Sequence, residues 1–260
     1  MLPLATRAAV QLMAAEGRWH AIDSLRRAGL FTMMTGFDRV VDRLIVAGAI
    51  AGAGDDRLTT SSVAALAKGH PPDSALAQFN RAQIWLDGWL IGAREAMYGD
   101  TVLAHRWQIV LGTLPAGSPP LYATALRADI GARLAARRGD RATALDEARH
   151  AYLAWTDHSN ASSEILPEPA MRFHLASLLR AAGKTDSAVA LFRSLVMPTT
   201  WMGFYTARAS LELGELMEHA GDRPAAHTHY VIASQLWESG DKSVADLRER
   251  ARRGVAGLAR

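Results

Sequence analysis

The sequence predicts an all-α chain, a solenoid of stacked antiparallel helical hairpins. Three observations predict it. Helix-period apolar stretches fill nearly all of the 260 residues. No alternating run of strand length is flanked by hairpin turns. A glycine followed by a polar residue recurs between helix-like segments, at Gly17-Arg18, Gly54-Asp55, Gly99-Asp100, Gly139-Asp140, Gly183-Lys184 and Gly221-Asp222, with a mean spacing of about 41 residues.

Taken in order, the periodicity places helices near 3–16, 19–28, 38–53, 58–68, 73–98, 100–113, 120–138, 141–156, 168–182, 186–196, 200–220, 223–238 and 241–258. Breaks fall at Gly69-His70-Pro71-Pro72, from Pro115 to Pro120 and from Asp157 to Pro169. Each recurrent glycine suits a tight turn, because a residue without Cβ accepts the positive φ of a helix C-cap. Asp55, Asp100, Asp140 and Asp222 follow four of these glycines, where a carboxylate can accept the free amides of the next helix. Pro224 fits a first helical turn, where its missing donor costs nothing. The Pro115–Pro120 stretch divides the chain into degenerate hairpins over 1–114 and clearer repeats over 118–238, followed by a capping helix over 241–260.

Around the turns the residue sizes repeat as well. Seven positions before the glycine stand Ala47, Gly92, Ala132, Ala176 and Gly214; five positions after it stand Ala104, Ala144, Ala188 and Ala226. Small side chains at both places let the two helices of a hairpin approach closely. Phe192 and Tyr230, nine positions after two of the turns, are knobs for the space between hairpins. No single hairpin can bury both of its apolar faces, so the units must stack.

The stretch Leu213-Gly214, Gly221-Asp222, Ala226, Tyr230 and Ala233 resembles a tetratricopeptide repeat at each diagnostic place. Leu175-Ala176, Gly183-Lys184, Ala188 and Phe192 resemble a second, which departs at Leu195. The unit around Gly139 keeps Ala132, Ala144 and Ala151 but has Gly131 and Ala148 for the leucine and the aromatic. The units upstream are degenerate, with Arg26, Thr59 and Gln108 at positions that are apolar or small in that family. The resemblance implies a right-handed superhelix with a concave surface lined by the first helix of each hairpin. Trp201 to Tyr205, Leu236-Trp237-Glu238 and the last helix to Leu258 are similar to the C-terminal repeat arrays of bacterial signalling proteins. Those arrays often follow a kinase or winged-helix domain, and no kinase glycine loop or catalytic Asp loop occurs here, so such a domain is expected to lie outside this chain.

Composition excludes several classes. With 49% hydrophobic and 21% charged residues the chain is not mainly disordered, and with no cysteine it holds no disulfide scaffold, zinc-thiolate module or thiol nucleophile. The longest strongly apolar run, Leu44 to Gly54, is eleven residues, too short to cross a bilayer, and residues 1–16 carry only Arg7 and no cleavage site. A cytoplasmic protein is expected. A net charge of +3 makes a weak long-range field despite a pI near 9.5, and Arg248 to Arg253 reads as a solvated terminal helix.

Motifs of chemistry are fragmentary. Gly183-Lys184-Thr185 lacks the earlier glycine and the strand of a phosphate loop, and Gly48, Gly52 and Gly54 do not make a dinucleotide fingerprint. Ser239-Gly240-Asp241-Lys242 has the spacing of a serine–lysine acyl-transfer motif without its partner motifs. His227 and His229 point about 200° apart on a helix, and Glu147 with His150 is one i, i+3 pair where a di-metal bundle needs two. Trp85, Trp89 and Trp107 form the largest aromatic grouping, a core cluster in the simplest reading.

The expected function is therefore a non-catalytic protein–protein interaction scaffold without a cofactor or metal, taking a partner peptide or helix in the concave groove. Groove positions in the clear repeats fall at Leu126, Asp129, Arg133 and Ala136, at Ala170, Phe173, Ser177 and Arg180, and at Arg208, Leu211, Glu215 and Glu218. Phe173 and Leu211 are the expected apolar anchors, and Arg133, Arg180 and Arg208 the expected partners of carboxylates. The carboxylate-clamp subclass of the family uses paired asparagines with lysines; the two asparagines here, Asn80 and Asn160, lie elsewhere. A nucleic-acid-binding α-solenoid is the second reading, against which the small net charge and the lack of a two-residue base code stand. An α-helical enzyme of unfamiliar type is the third.

Overall fold

The computed structural model describes residues 2–30, 36–69, 82–113, 120–156, 167–196 and 203–258. The expected helix start at 73, most of the Pro115–Pro120 and Asp157–Pro169 breaks, Trp201 and both asparagines lie outside these residues. Every regular element among the described residues is helical: α1 Leu2–Ala15, α2 Trp19–Arg27, α3 Phe37–Ile50, α4 Asp56–Gly69, α5 Ala82–Tyr98, α6 Thr101–Gly112, α7 Pro120–Arg137, α8 Arg141–Thr156, α9 Pro167–Ala181, α10 Thr185–Leu195, α11 Gly203–His219, α12 Arg223–Leu236, a 3₁₀ turn Lys242–Val244, and α13 Ala245–Leu258.

The thirteen described helices pack as sequential pairs, α1 with α2 through α11 with α12, and α13 closes on α12. Each second helix also packs on the first helix of the next pair, and α3, α5 and α7 stack side by side, as do α9 and α11. One continuous apolar core runs from Val10 to Ala251.

The turns follow the expected chemistry in most places. Gly139, Gly183 and Gly221 have φ of 80°, 71° and 80°, and in each case the next residue's amide reaches back five residues, as in Asp140 N to Ala135 O at 3.0 Å. Gly54 and Gly99 differ: neither is left-handed, and Gly52, with φ 73°, makes the turn after α3. Gly54 is small for another reason, since a Cβ there would meet Ala49 Cα at 2.6 Å. All four turn aspartates cap: Asp55 accepts from Leu58 N, Asp100 from Val102 N, Asp140 from Thr143 N and Asp222 from Ala225 N, at 2.8–3.1 Å.

The repeating small residues are where helices touch. Ala104, Ala144, Ala188 and Ala226 are fully buried. A Cβ on Gly92 would lie 2.5 Å from Ile130 Cδ1, and one on Gly214 would lie 2.7 Å from the Tyr230 ring. Tyr230 is the expected knob, seated between Gly214 of α11 and Gly254 of α13. Trp85, Trp89 and Trp107 are all buried, with Trp107 lying over Gly88.

The two ends of the array touch. α1 packs on α11 as well as on α2 and α3. Asp241, in the turn before α13, donates its amide to Gly17 O at 3.0 Å, and its Oδ2 accepts from His20 N at 2.7 Å, across 221 positions of sequence.

Candidate functional site

The first helices of neighbouring pairs are joined by charged side chains buried between them. At the start, Arg26 of α2 bridges Asp23 (2.6 Å) and Asp42 of α3 (2.8 Å), and Ser62 of α4 donates to the same Asp42 oxygen at 2.7 Å. Arg39 and Arg43 of α3 converge on Asp87 of α5, with Arg43 Nε 2.6 Å from Oδ1 and Arg39 Nε 2.8 Å from Oδ2. Burying a carboxylate is costly unless it is paired and hydrogen-bonded, and Asp87, with no exposed surface, satisfies both conditions.

The central node is Asp129 of α7. Its Oδ2 accepts from Trp89 Nε1 of α5 at 2.8 Å and from Arg133 Nε at 2.9 Å; its Oδ1 accepts from Arg133 Nη2 at 3.2 Å and meets His174 Nδ1 of α9 at 3.3 Å. Burial opposes the charge on Asp129, but Arg133 and the hydrogen bonds from His174 and Arg133 outweigh it and hold the carboxyl well below its usual range. An ionised carboxylate only accepts, so Nδ1 of His174 carries the proton. Burial, then the Arg133 charge, push the His174 pKa down, and the ring is neutral near pH 7. Beside this node the Tyr205 phenol is driven above its usual range, mainly by burial.

Toward the end of the chain the seam continues as an alternating line. Arg208 of α11 lies 3.6 Å from Glu212; Glu212 also pairs with Arg180 of α9; Arg180 Nη2 donates to Glu215 at 3.0 Å; and Glu215 pairs with Arg250 of α13. Arg208 rests over Phe173, its Cζ 5.5 Å from the ring centroid, and its Nε is buried without a partner. Burial lowers the Arg208 pKa, whereas Glu212 and Glu215 more than offset burial at Arg180 and raise it.

Nine of the twelve predicted groove residues are thereby placed. Asp129, Arg133, Phe173 and Leu211 are buried, with Leu211 at 0% exposure. The expected anchor Phe173 contacts the Phe192 and Tyr205 rings at 5.4 and 5.6 Å, inside the packing of α9, α10 and α11. Ser177, Arg180, Arg208 and Glu215 are half-buried and Glu218 is exposed, with the Ser177 hydroxyl donating to Phe173 O at 2.9 Å. The carboxylates expected on a partner for Arg133, Arg180 and Arg208 are present within the chain, as Asp129, Glu212 and Glu215.

Sequence reasoning missed Asp87, His174, Tyr205, Glu212 and Asp241. Only Asp241 carried a signal, since Gly240-Asp241 repeats the glycine–aspartate pairing of the other turns. Among the described residues no group of three or more His, Asp or Glu could hold a metal ion, and no helix is long and apolar enough to cross a membrane. No protein family, curated protein or solved structure matches the chain.

Proposed function

We propose that this chain is a non-catalytic, cytoplasmic protein-interaction scaffold, a tetratricopeptide-like right-handed solenoid that takes a peptide or helix of a partner protein on its inward row. The observation that carries the reading is the hairpin stacking around first helices braced by ion pairs, which leaves Ser177, Arg180, Arg208 and Glu215 side by side at the solvent edge. A fixed row of polar groups above an apolar floor suits recognition of an amphipathic segment, whose charges exchange with Glu212 and Glu215 for Arg180. A regulatory role in bacterial signalling is the setting in which such arrays are used. Nucleic acid is the weaker reading, because the arginines of the row are matched by carboxylates and offer phosphates little net charge.

The test is affinity capture from lysate of the source cells, comparing wild type with Ser177→Arg/Arg180→Ala, with circular dichroism to establish that both are folded. The reading expects a specific protein to be lost by the variant. Capture of the same proteins by both would remove the row as the binding site.

A further inference from the structure

We propose that the first hairpin is a clasp: α1–α2 joins the two ends of the array by docking on α11 and on the turn before α13, and parting of this seam, with the other hairpins intact, opens the inward row at Arg208. That the opened row then binds a partner rests on the function proposed above; the clasp itself does not.

Four observations place the weak seam here rather than between other hairpins. First, α2 has no cap of its own. Arg18 stands at its N-cap without a side-chain capping bond, and the capping carboxylate is Asp241, which accepts from His20 N at 2.7 Å in an exposed hydrogen bond. Second, the approach depends on glycines. A Cβ on Gly17 would meet Val244 Cγ1 at 2.8 Å, one on Gly240 would meet Glu16 O at 2.7 Å, and one on Gly203 would meet Ala15 Cβ at 2.6 Å.

Third, the described side chains that α1 buries are small, Val10, Ala14 and Ala15, whereas α3 buries Val40, Val41, Leu44, Ile45, Val46 and Ile50. Units that open locally are those with few buried apolar contacts and solvent-exposed hydrogen bonds. Fourth, α2 is fastened to α3 instead: Trp19 Nε1 donates to Ala53 O and the indole lies against Gly48. The hairpin therefore stays on α3 when the seam parts, and the parting surfaces are those of α11 and the Gly240–Val244 turn. Arg208 of α11 faces the turn after α3, the helix on which the hairpin stays. A Cβ on Gly52, at the end of α3, would be 3.8 Å from the Arg208 guanidinium, so separation uncovers the cation whose Nε has no partner.

The native chain has no cysteine, so introduced pairs can be spin-labelled cleanly. Leu12→Cys with Gln235→Cys spans the seam, and Arg106→Cys with His150→Cys lies within the array; all four positions are exposed. Pulsed dipolar spectroscopy of each pair is compared in the parent, in Asp241→Ala and in Asp241→Asn. The clasp expects Asp241→Ala to enlarge a longer-distance population of the spanning pair about 2- to 30-fold, the range that loss of an N-cap covers. The internal pair stays unchanged, and Asp241→Asn, which keeps a capping oxygen, restores the parent distribution. An unchanged spanning distance in Asp241→Ala, or lengthening of both pairs together, overturns it. If Asp241→Ala does not fold, native-state hydrogen exchange of wild type decides. Amides of His20 and Asp241 exchanging faster than those of Leu211 support the clasp, and equal protection overturns it.

Discussion

Breaking the Asp129–Arg133 pair isolates the energetics of the charges buried between the first helices. Asp129→Asn removes the charge that balances Arg133 while keeping an oxygen for Trp89 Nε1, which donates to it at 2.8 Å. Arg133 is 3% exposed and cannot turn to water, so the variant holds an uncompensated buried guanidinium. Removing one partner of a buried ion pair costs about 3–5 kcal/mol. For a chain of this size that is a fall in melting temperature of about 6–20 °C, at about 2–4 °C per kcal/mol. Arg133→Met should cost a similar amount, because it leaves Asp129 ionised with only Trp89 and His174 to stabilise it. The double variant has no charge left to strand, so the two losses should fall short of additivity by about 2 kcal/mol or more. Urea unfolding followed by far-UV circular dichroism on all four proteins measures this coupling. Additivity to within about 0.5 kcal/mol, the behaviour of independent sites, would refute the claim that the charges act as one buried unit.

Further outcomes concern the protonation of these groups and other parts of the fold. His174 has a folded-state pKa below its unfolded value near 6.5, so the unfolded chain takes up the proton first and stability falls as pH drops below about 6.5; His174→Gln should shrink the loss measured between pH 7.5 and 5.5. Asp129, depressed in the folded state, keeps its contribution above about pH 4 and loses it only in stronger acid, whereas Asp42, raised mainly by burial, acts with the opposite sign. Gly92→Ala drives a methyl to within 2.5 Å of Ile130 Cδ1 and should cost about 1–3 kcal/mol; Ile130→Val, which deletes that atom, should recover part of the loss, and a loss unchanged by the second substitution would place the strain elsewhere. Asp100→Ala removes the acceptor for Val102 N and Leu103 N and should cost about 1 kcal/mol in thermal unfolding.

The hairpin architecture was legible because its signals are local. Asp55, Asp100, Asp140 and Asp222 cap helices that begin beside them, and Ala104, Ala144, Ala188 and Ala226 are buried at one fixed distance after the turns, so spacing along the chain was enough to find them. Gly54 and Gly99 show the limit of that reasoning: a glycine near a turn can be required by a nearby backbone or side chain rather than by a left-handed φ. The candidate site was legible only as a row of positions. Counting back from the turns singled out Asp129, Arg133, Arg180, Arg208 and Glu215 as one row of positions on the first helices. It could not show that their partners are Trp89, His174 and Glu212, which sit on other first helices, because a pairing between neighbouring hairpins leaves no periodic trace. Phe173 and Leu211 were chosen as anchors for being apolar on that row, and the same property places them in the core once α11 closes over α9.

The reach of Asp241 to His20 also bears on how such an array can change over time. An open stack tolerates gain or loss of a unit, because each hairpin needs only its neighbours and a polar end cap. Here the last turn must arrive at the first, so duplicating or deleting one hairpin would carry Asp241 away from the amide it serves and leave the flanks of α1 and α11 bare. Spacing is thereby locked: side chains can drift, but the number of units between α1 and the turn before α13 is held by the requirement that Asp241 meet His20.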